Sequence, residues 1–376
     1  MNTIKRIAEN TIVNWLGKNK VVIITGARQV GKTTLLKNIF GHSKDVLWLN
    51  GDESTVRERL EVQSVSSLQG IVGSYKTVII DEIQRIKNAG LLLKILFDNF
   101  KGVQFIATGS SALDISETIF EPLTGRHVLF HLYPFSLAEV YEGRSDFEIE
   151  QELPFHLVFG NYPDIVNHRV DAETLLSNLT SQYLYKDVLV WKDIRKPELL
   201  DKLLRLLAFQ VGSEVSFHEL GRQLQVKSET VETYLNLLEK SFVLFRLKSY
   251  SSNHRKEVTK MSKVYFWDNG IRNAILEDYD DWKIRNDKGQ LLENFLISER
   301  LKMNAWTNPK VKSYFWRNYN QSEVDYLEVL KGEINAYEIK LAAKNNKVSA
   351  AFTNIYPDAQ TNTITMQSFR KFCAIG

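Results

Sequence analysis

At 376 residues, the chain is longer than one hydrophobic core usually supports, so two or three domains are expected. With 44% hydrophobic and 25% charged residues it has the balance of a globular protein, and a net charge of +3 is too small to announce a polyanion partner, so any nucleic-acid signal must be local. The single cysteine, Cys373, excludes disulfides within the chain and a cysteine-based zinc site, which fits a reducing cytoplasm; no apolar run reaches the roughly twenty residues of a membrane span, and the N-terminus lacks a signal-peptide core.

The first strong signal is Val21 to Leu36, VVIITGARQVGKTTLL, an apolar strand entering Gly26-x-x-x-x-Gly31-Lys32-Thr33 and then a helical pattern from Thr34. This is a Walker A phosphate loop in its strand–loop–helix setting. A polyphosphate tail must be wrapped by backbone N–H groups, so the expected nucleotide contacts are Gly26, Ala27, Arg28, Gln29, Val30, Gly31, Lys32, Thr33 and Thr34. Lys32 would meet the β and γ phosphates, and the Thr33 hydroxyl would ligate Mg²⁺.

Val46–Asn50 reads as a second strand, followed by a charged helical segment from Asp52 to Glu61. Thr77 to Ile80, four strand formers, then run into Asp81 and Glu82 about fifty residues after the phosphate loop. That is a Walker B motif: Asp81 would hold Mg²⁺ and Glu82 would polarise the attacking water. A third buried strand, Val103 to Ala107, leads into Thr108-Gly109-Ser110-Ser111. A polar residue at that tip can sense the γ-phosphate; Ser110 is the first choice and Thr108 the second. Alternating strands and helices imply a parallel sheet with nucleotide at the carboxyl ends of the strands.

GARQVGKTTLL, IIDEIQ, ATGSSA and Leu123-Thr124-Gly125-Arg126 followed by LYPFSLAEV resemble the prokaryotic AAA+-type ATPases related to the origin-recognition branch. The resemblance covers nearly the whole chain, since such ATPases carry a C-terminal domain of unknown function. It implies that Arg126 reaches a γ-phosphate, from its own subunit or a neighbour; a structural salt bridge is the other reading. It also implies that Gly160-Asn161-Tyr162-Pro163-Asp164, by composition a turn, opens a helical lid, which Tyr183 to Ile194 continues; Arg195-Lys196-Pro197 reads as a linker, because proline disfavours helix in the residue before it.

From Ser216 the pattern changes. Ser216-Phe217-His218-Glu219 is a capping box for a short helix to Leu224, and Ser228 caps a second helix with Val231, Tyr234, Leu235 and Leu238 on one face. Strands at Phe242–Leu247 and Val264–Trp267 complete a winged helix-turn-helix. Glu229, Glu232 and Glu239 disfavour DNA contact by the second helix, whereas Arg246, Lys248, Arg255, Lys256, Lys260 and Lys263 would suit a wing along a phosphate backbone. DNA contact and a module used only for packing stay open, and His254 reads as a loop residue.

Gly289 to Leu301 is an amphipathic helix, Ser322–Leu327 a strand, and Lys331-Gly332 a two-residue turn into a strand containing Tyr337-Glu338-Ile339-Lys340. With that turn, position 325 falls directly opposite 338, with Cβ atoms about 5 Å apart. Carboxylates so close repel unless they share a cation, usually Mg²⁺. Strand alternation puts Lys340 on the face of Glu338, opposite Glu323.

This arrangement resembles the PD-(D/E)xK nuclease superfamily, with Asp325 as the aspartate, Glu338-Ile339-Lys340 as the ExK, and Glu293 as a helical carboxylate; Val324 stands where the superfamily's name has proline. The resemblance implies metal ligation by Asp325, Glu338 and Glu293, and a catalytic Lys340 that orients water. A hairpin edge charged to discourage sheet pairing is the competing reading.

The expected organisation is therefore α/β throughout: an AAA+-type ATP-binding domain at 1–135, a helical lid and winged helix at 136–265, and a restriction-endonuclease-like α/β domain at 266–376. The expected function is Mg²⁺-dependent ATP hydrolysis coupled to DNA binding or cleavage, with protein partners or self-association also open. The alternative is an ATP-driven switch whose winged helix and inactive nuclease-like domain meet proteins. A small-molecule kinase ranks last, because no acceptor pocket is legible.

Overall fold

Five short runs of β-branched and apolar residues build the N-terminal sheet in the computed structural model, which describes residues 4–41, 43–110, 121–181, 197–251, 262–342 and 348–375. The runs are β1 (Val21–Thr25), β2 (Val46–Asn50), β3 (Thr77–Asp81), β4 (Gln104–Gly109) and β5 (His127–His131). All pair in parallel, in the order β2-β3-β4-β1-β5. β1 is buried along its whole length, as a central strand covered on both faces must be. Val21, Ile23, Val78, Ile80, Phe105 and Ala107 form one side of a core against Leu92, Leu93 and Leu96 of the helix Ala89–Asn99. Each such side chain contributes on the order of 2 kcal/mol by leaving water.

The strand order has a functional consequence. β4 lies between β1 and β3, so its tip separates the phosphate loop from the Asp81-Glu82 turn. All three tips are carboxyl ends, the edge where parallel α/β sheets bind ligands.

The chain divides into two compact units, Asn2–Tyr133 with Lys240–Phe242, and Pro134–Glu239 with Val243–Gly376. Position 265, expected as the end of a winged helix, lies inside β8 (Ser262–Phe266), because the strands expected as a wing join the sheet of the C-terminal strands. That second sheet has seven strands in the order β12-β11-β10-β9-β7-β8-β6. They are β6 (Glu214–Val215), β7 (Leu244–Ser249), β8, β9 (Lys312–Arg317), β10 (Glu323–Leu330), β11 (Glu333–Ile339) and β12 (Gln360–Ile364).

Between β6 and β7 lie two helices. Ser216 Oγ accepts from the Glu219 N–H to start Phe217–Leu224, and Ser228–Lys240 buries Val231, Tyr234, Leu235, Leu237 and Leu238. The β10–β11 hairpin turns at Lys331 and Gly332, both in the left-handed region with φ of 52° and 93°, as a two-residue turn of this kind demands. Tyr326 pairs Tyr337 and Leu330 pairs Glu333, the register expected from the turn.

The helix Asp146–Phe159 opens with a reciprocal capping box of Ser145 and Glu148. It ends at Gly160, in the left-handed region with φ of 71°. There the chain passes so close to Asp268, the cap of the helix Asn269–Leu276, that a Cβ on Gly160 would lie 1.9 Å from Asp268 Oδ1. Asp268 accepts from the N–H of Asn161 at 2.7 Å, and Asn161 in turn bonds His156 and the buried Glu299 of the helix Lys288–Thr307. The stretch 182–196, read as continuing a helical lid into a linker, lies outside the described residues.

Candidate nucleotide site and carboxylate cluster

The phosphate loop connects β1 to the helix Lys32–Phe40 and needs glycine at its two ends. At Gly26 a Cβ would stand 2.1 Å from the carbonyl oxygen of Leu132, and Gly31 adopts φ of 91° immediately before the helix. Gln29 also sits in the left-handed region at φ 61°, so the loop curls back on itself. Val30 is fully buried and anchors the curl, while Lys32, only 6% exposed, donates to the carbonyls of Gly26 at 2.9 Å and Ala27 at 2.8 Å. Those bonds hold the ammonium inside the loop whose amides would meet phosphate.

At the second residue of the helix, Thr33 Oγ1 donates to Asp81 Oδ2 at 2.7 Å. The other oxygen of Asp81 accepts from Thr108, whose hydroxyl also receives the Glu82 N–H at 3.3 Å. Thr108 is fully buried, so the second-choice residue of β4 anchors the Walker B turn. The first choice, Ser110, accepts from Gln84 Nε2 at 3.0 Å, and the same amide donates to Glu82. Glu82 itself is left-handed, with φ of 52°. Sequence spacing does not reveal the Gln84 contacts, which depend on that turn; the available signal is an amide two residues beyond a Walker B glutamate.

A hydroxyl and a carboxylate oxygen 2.7 Å apart suit Mg²⁺, which takes one or two hard oxygen ligands from protein and the rest from phosphate and water. Thr33 and Asp81 would hold it. Ser111 lies outside the described residues.

Arg126 is elsewhere. It precedes His127, which pairs with Val21 at the start of β1, so it lies at the amino edge of the sheet. At ~3.3 Å per residue that is roughly 16 Å from the loop edge, beyond an arginine's reach. Its guanidinium bonds Asp98 at 3.0 Å and the Thr124 carbonyl at 3.4 Å. Contact with the γ-phosphate of its own chain is thus out of reach, and the salt-bridge reading describes the observed geometry.

In the C-terminal unit, Asp325, Glu338, Lys340 and Glu293 are brought into one electrostatic group. Asp325 Oδ2 accepts from the Ile339 N–H at 2.8 Å, and Lys340 pairs with Glu338 at 2.7 Å. Burial, then repulsion from Asp325, raises the Glu338 carboxyl. Glu293 is pushed up to about 7, by burial first. Lys263 Nζ meets Glu293 at 3.1 Å and also contacts Glu323; Tyr265 donates to Glu293 at 2.6 Å. Lys263 and Tyr265 were not anticipated here, since they come from β8, thirty and twenty-eight residues before the helical glutamate. Among the described residues no three His, Cys, Asp or Glu side chains are placed to hold a metal ion.

The basic wing changes accordingly. Lys263 is 3% exposed and Arg246 is bound by Glu239 at 2.6 Å and by Asn236, so neither is offered to a phosphate backbone. Lys248 is exposed; His254, Arg255, Lys256 and Lys260 lie outside the described residues.

A five-stranded parallel sheet with a phosphate loop after β1 and paired acids at the end of β3 defines a P-loop NTPase fold, of the ATPase class. Residues 18–141 match the family model described as AAA domain. Residues 150–281 and 288–370 match two models described as domains of unknown function, DUF8612 and DUF4143. An uncharacterized protein of Mycobacterium tuberculosis (strain H37Rv) is 28% identical over 330 residues, spanning 86% of this chain and 71% of the relative. Another, of Methanocaldococcus jannaschii, is 27% identical over 299 residues, covering 69% and 63%. Among solved structures, a Walker-type ATPase of Pyrococcus abyssi superposes with a TM-score of 0.50 at 16% identity, over 73% of this chain and 96% of that one, a likeness of fold. Among the described residues no helix is long and apolar enough to cross a membrane.

Proposed function

We propose that this protein binds ATP with Mg²⁺ and hydrolyses it, and that nucleotide state governs what the C-terminal unit offers to a partner. The observation that carries the reading is the hydrogen-bonded line of Thr33, Asp81 and Thr108, with Glu82 next in the chain. Lys32 would exchange its bonds to the loop carbonyls for the β and γ phosphates. Bound Mg²⁺ would offset phosphate charge and polarise the γ-phosphoryl group. Glu82 would take the proton of the attacking water, held in orientation through Gln84 and Ser110. The test is nucleotide binding and phosphate release by wild type, Lys32→Ala and Glu82→Gln. Loss of binding in the first and bound but unhydrolysed ATP in the second are the expected results; normal turnover by Glu82→Gln would assign the water to another group.

For the output, the pairing of Arg246 with Glu239 and the burial of Lys263 favour a switch acting on protein partners. A second reading, DNA binding or cleavage, is supported by the winged-helix order of β6, two helices, β7 and β8, and by Asp325 on β10 beside Glu338 on β11 and Lys340 just beyond it, as in PD-(D/E)xK nucleases. Binding and cleavage of DNA at low and high salt, with Mg²⁺ and with or without ATP, separate the two, because phosphate contacts weaken steeply as salt rises. Negligible affinity at low salt removes the DNA reading.

A further inference from the structure

Lys263 is buried on β8, where an ammonium can be removed from water only if anions take over its solvation. The anions are supplied by separate elements: Glu293 from the helix Lys288–Thr307 at 3.1 Å and Glu323 from β10, with Asp325 adding its field. The neighbouring acids have their own contacts. Glu338 pairs with Lys340 through Oε1 while its Oε2 is buried without a hydrogen-bond partner among the described residues, Asp325 accepts a backbone N–H, and the Glu293 oxygen that meets Lys263 also receives the Tyr265 hydroxyl.

Carboxylates that hold a divalent ion direct several oxygens at one point about 2.0–2.6 Å away. Among the described residues no three acidic, histidine or cysteine side chains do so. The donor set is arranged around an ammonium instead. It also differs from a hairpin edge charged against sheet pairing, because its central cation is 3% exposed and not solvated.

We infer that Lys263 is the resident cation of the Glu293–Glu323–Asp325 cluster, taking the place of a divalent metal, so that the cluster ties β8 to the helix Lys288–Thr307 and β10 and accepts metal only when the lysine is removed. The inference rests on reading Glu293, Asp325 and Glu338 as a metal-type carboxylate set. A tethered lysine differs from a metal in three ways: no chelator removes it, it cannot polarise a phosphate as a Lewis acid, and it strengthens this corner without regard to metal supply.

The experiment is a Mn²⁺ titration of nucleotide-free full-length protein, read by the electron paramagnetic resonance signal of free Mn²⁺, in an Asp81→Asn background that weakens the nucleotide-site contribution. With Lys263 present, no Mn²⁺ binding that depends on Asp325 is expected. Adding Lys263→Met should create one site, at least about tenfold tighter, that disappears again with Glu293→Gln, and Mn²⁺ should raise the melting temperature of the Lys263→Met protein only. Mn²⁺ bound by the lysine-containing protein and lost on Asp325→Asn would overturn the inference, as would a folded Lys263→Met protein that binds no more than its parent. Should Lys263→Met fail to fold, the lysine-containing titration decides alone. The readout uses neither ATP turnover nor DNA, so failure of the ATPase or switch reading is seen separately.

Discussion

Thr33 Oγ1 and Asp81 Oδ2 are joined by a 2.7 Å hydrogen bond, although one begins a helix and the other ends a strand forty-eight residues later. The bond sets the two hard oxygens side by side, and Thr108 takes the remaining carboxylate oxygen. Thr33→Ala should therefore leave folding intact while lowering Mg²⁺-dependent hydrolysis by about 10²-fold or more, the scale of losing a preorganised electrostatic contact. A Mg²⁺ titration of phosphate release checks it; unchanged half-saturation and rate would remove Thr33 from the metal site.

Gln84 donates one amide to both Glu82 and Ser110. Gln84→Ala should lower kcat about tenfold with little change in ATP affinity, because the amide holds the glutamate rather than the nucleotide. Steady-state kinetics with a parallel binding isotherm distinguish this from a structural defect, which would move both.

The Arg126–Asp98 pair is half-exposed at the sheet edge remote from the loop. Arg126→Ala should leave hydrolysis by an isolated chain unchanged and cost at most about 1 kcal/mol of stability. A loss of turnover that grows with protein concentration, rescued by mixing with Lys32→Ala chains, would instead mean that the arginine serves a neighbouring subunit.

At the Gly160–Asp268 contact a methyl group has no room, and the backbone there is left-handed. Gly160→Ala should destabilise the C-terminal unit by about 3 kcal/mol or more, with Asp268 losing its double role as helix cap and acceptor for Asn161. Chemical denaturation measures this, and ATP binding should survive.

His156 is fully buried, and burial lowers its pKa to about 4 from an unfolded value of 6.5. Between those values the unfolded chain binds the proton and the folded one does not, so stability present above pH 6.5 falls as pH drops toward 4, by about 3 kcal/mol from this group. Unfolding curves at pH 7 and pH 4.5 should converge in His156→Gln relative to wild type; an identical pH dependence would assign the acid sensitivity elsewhere.

Much of the geometry of the candidate nucleotide site was legible because it is local. A phosphate loop needs glycine where the backbone bends or touches Leu132, and a strand of β-branched residues ending in Asp81-Glu82 carries its own period and punctuation. The β10–β11 register was legible for the same reason, since a two-residue turn at Lys331-Gly332 leaves one pairing. Arg126 shows the limit. Its motif neighbours left a phosphate contact, in its own subunit or a neighbour, and a salt bridge both open; strand direction, a property of the whole sheet, put it at the edge away from its own chain's loop.

The sequence alone determined the P-loop class, the identity of Lys32, Thr33, Asp81 and Glu82, and the pairing of strands through a tight turn, all of which depend on contacts between residues close in the chain or on strict periodicity. Tertiary structure decided the rest: that Thr108 anchors Asp81, that Gln84 reaches Glu82, and that Lys263 leaves an expected basic wing to be buried against Glu293 and Glu323 in the field of Asp325. The physical reason is the same in each case. A charge is solvated by whatever the fold brings to it, and sequence spacing does not say which strand of a seven-stranded sheet will lie beside which helix.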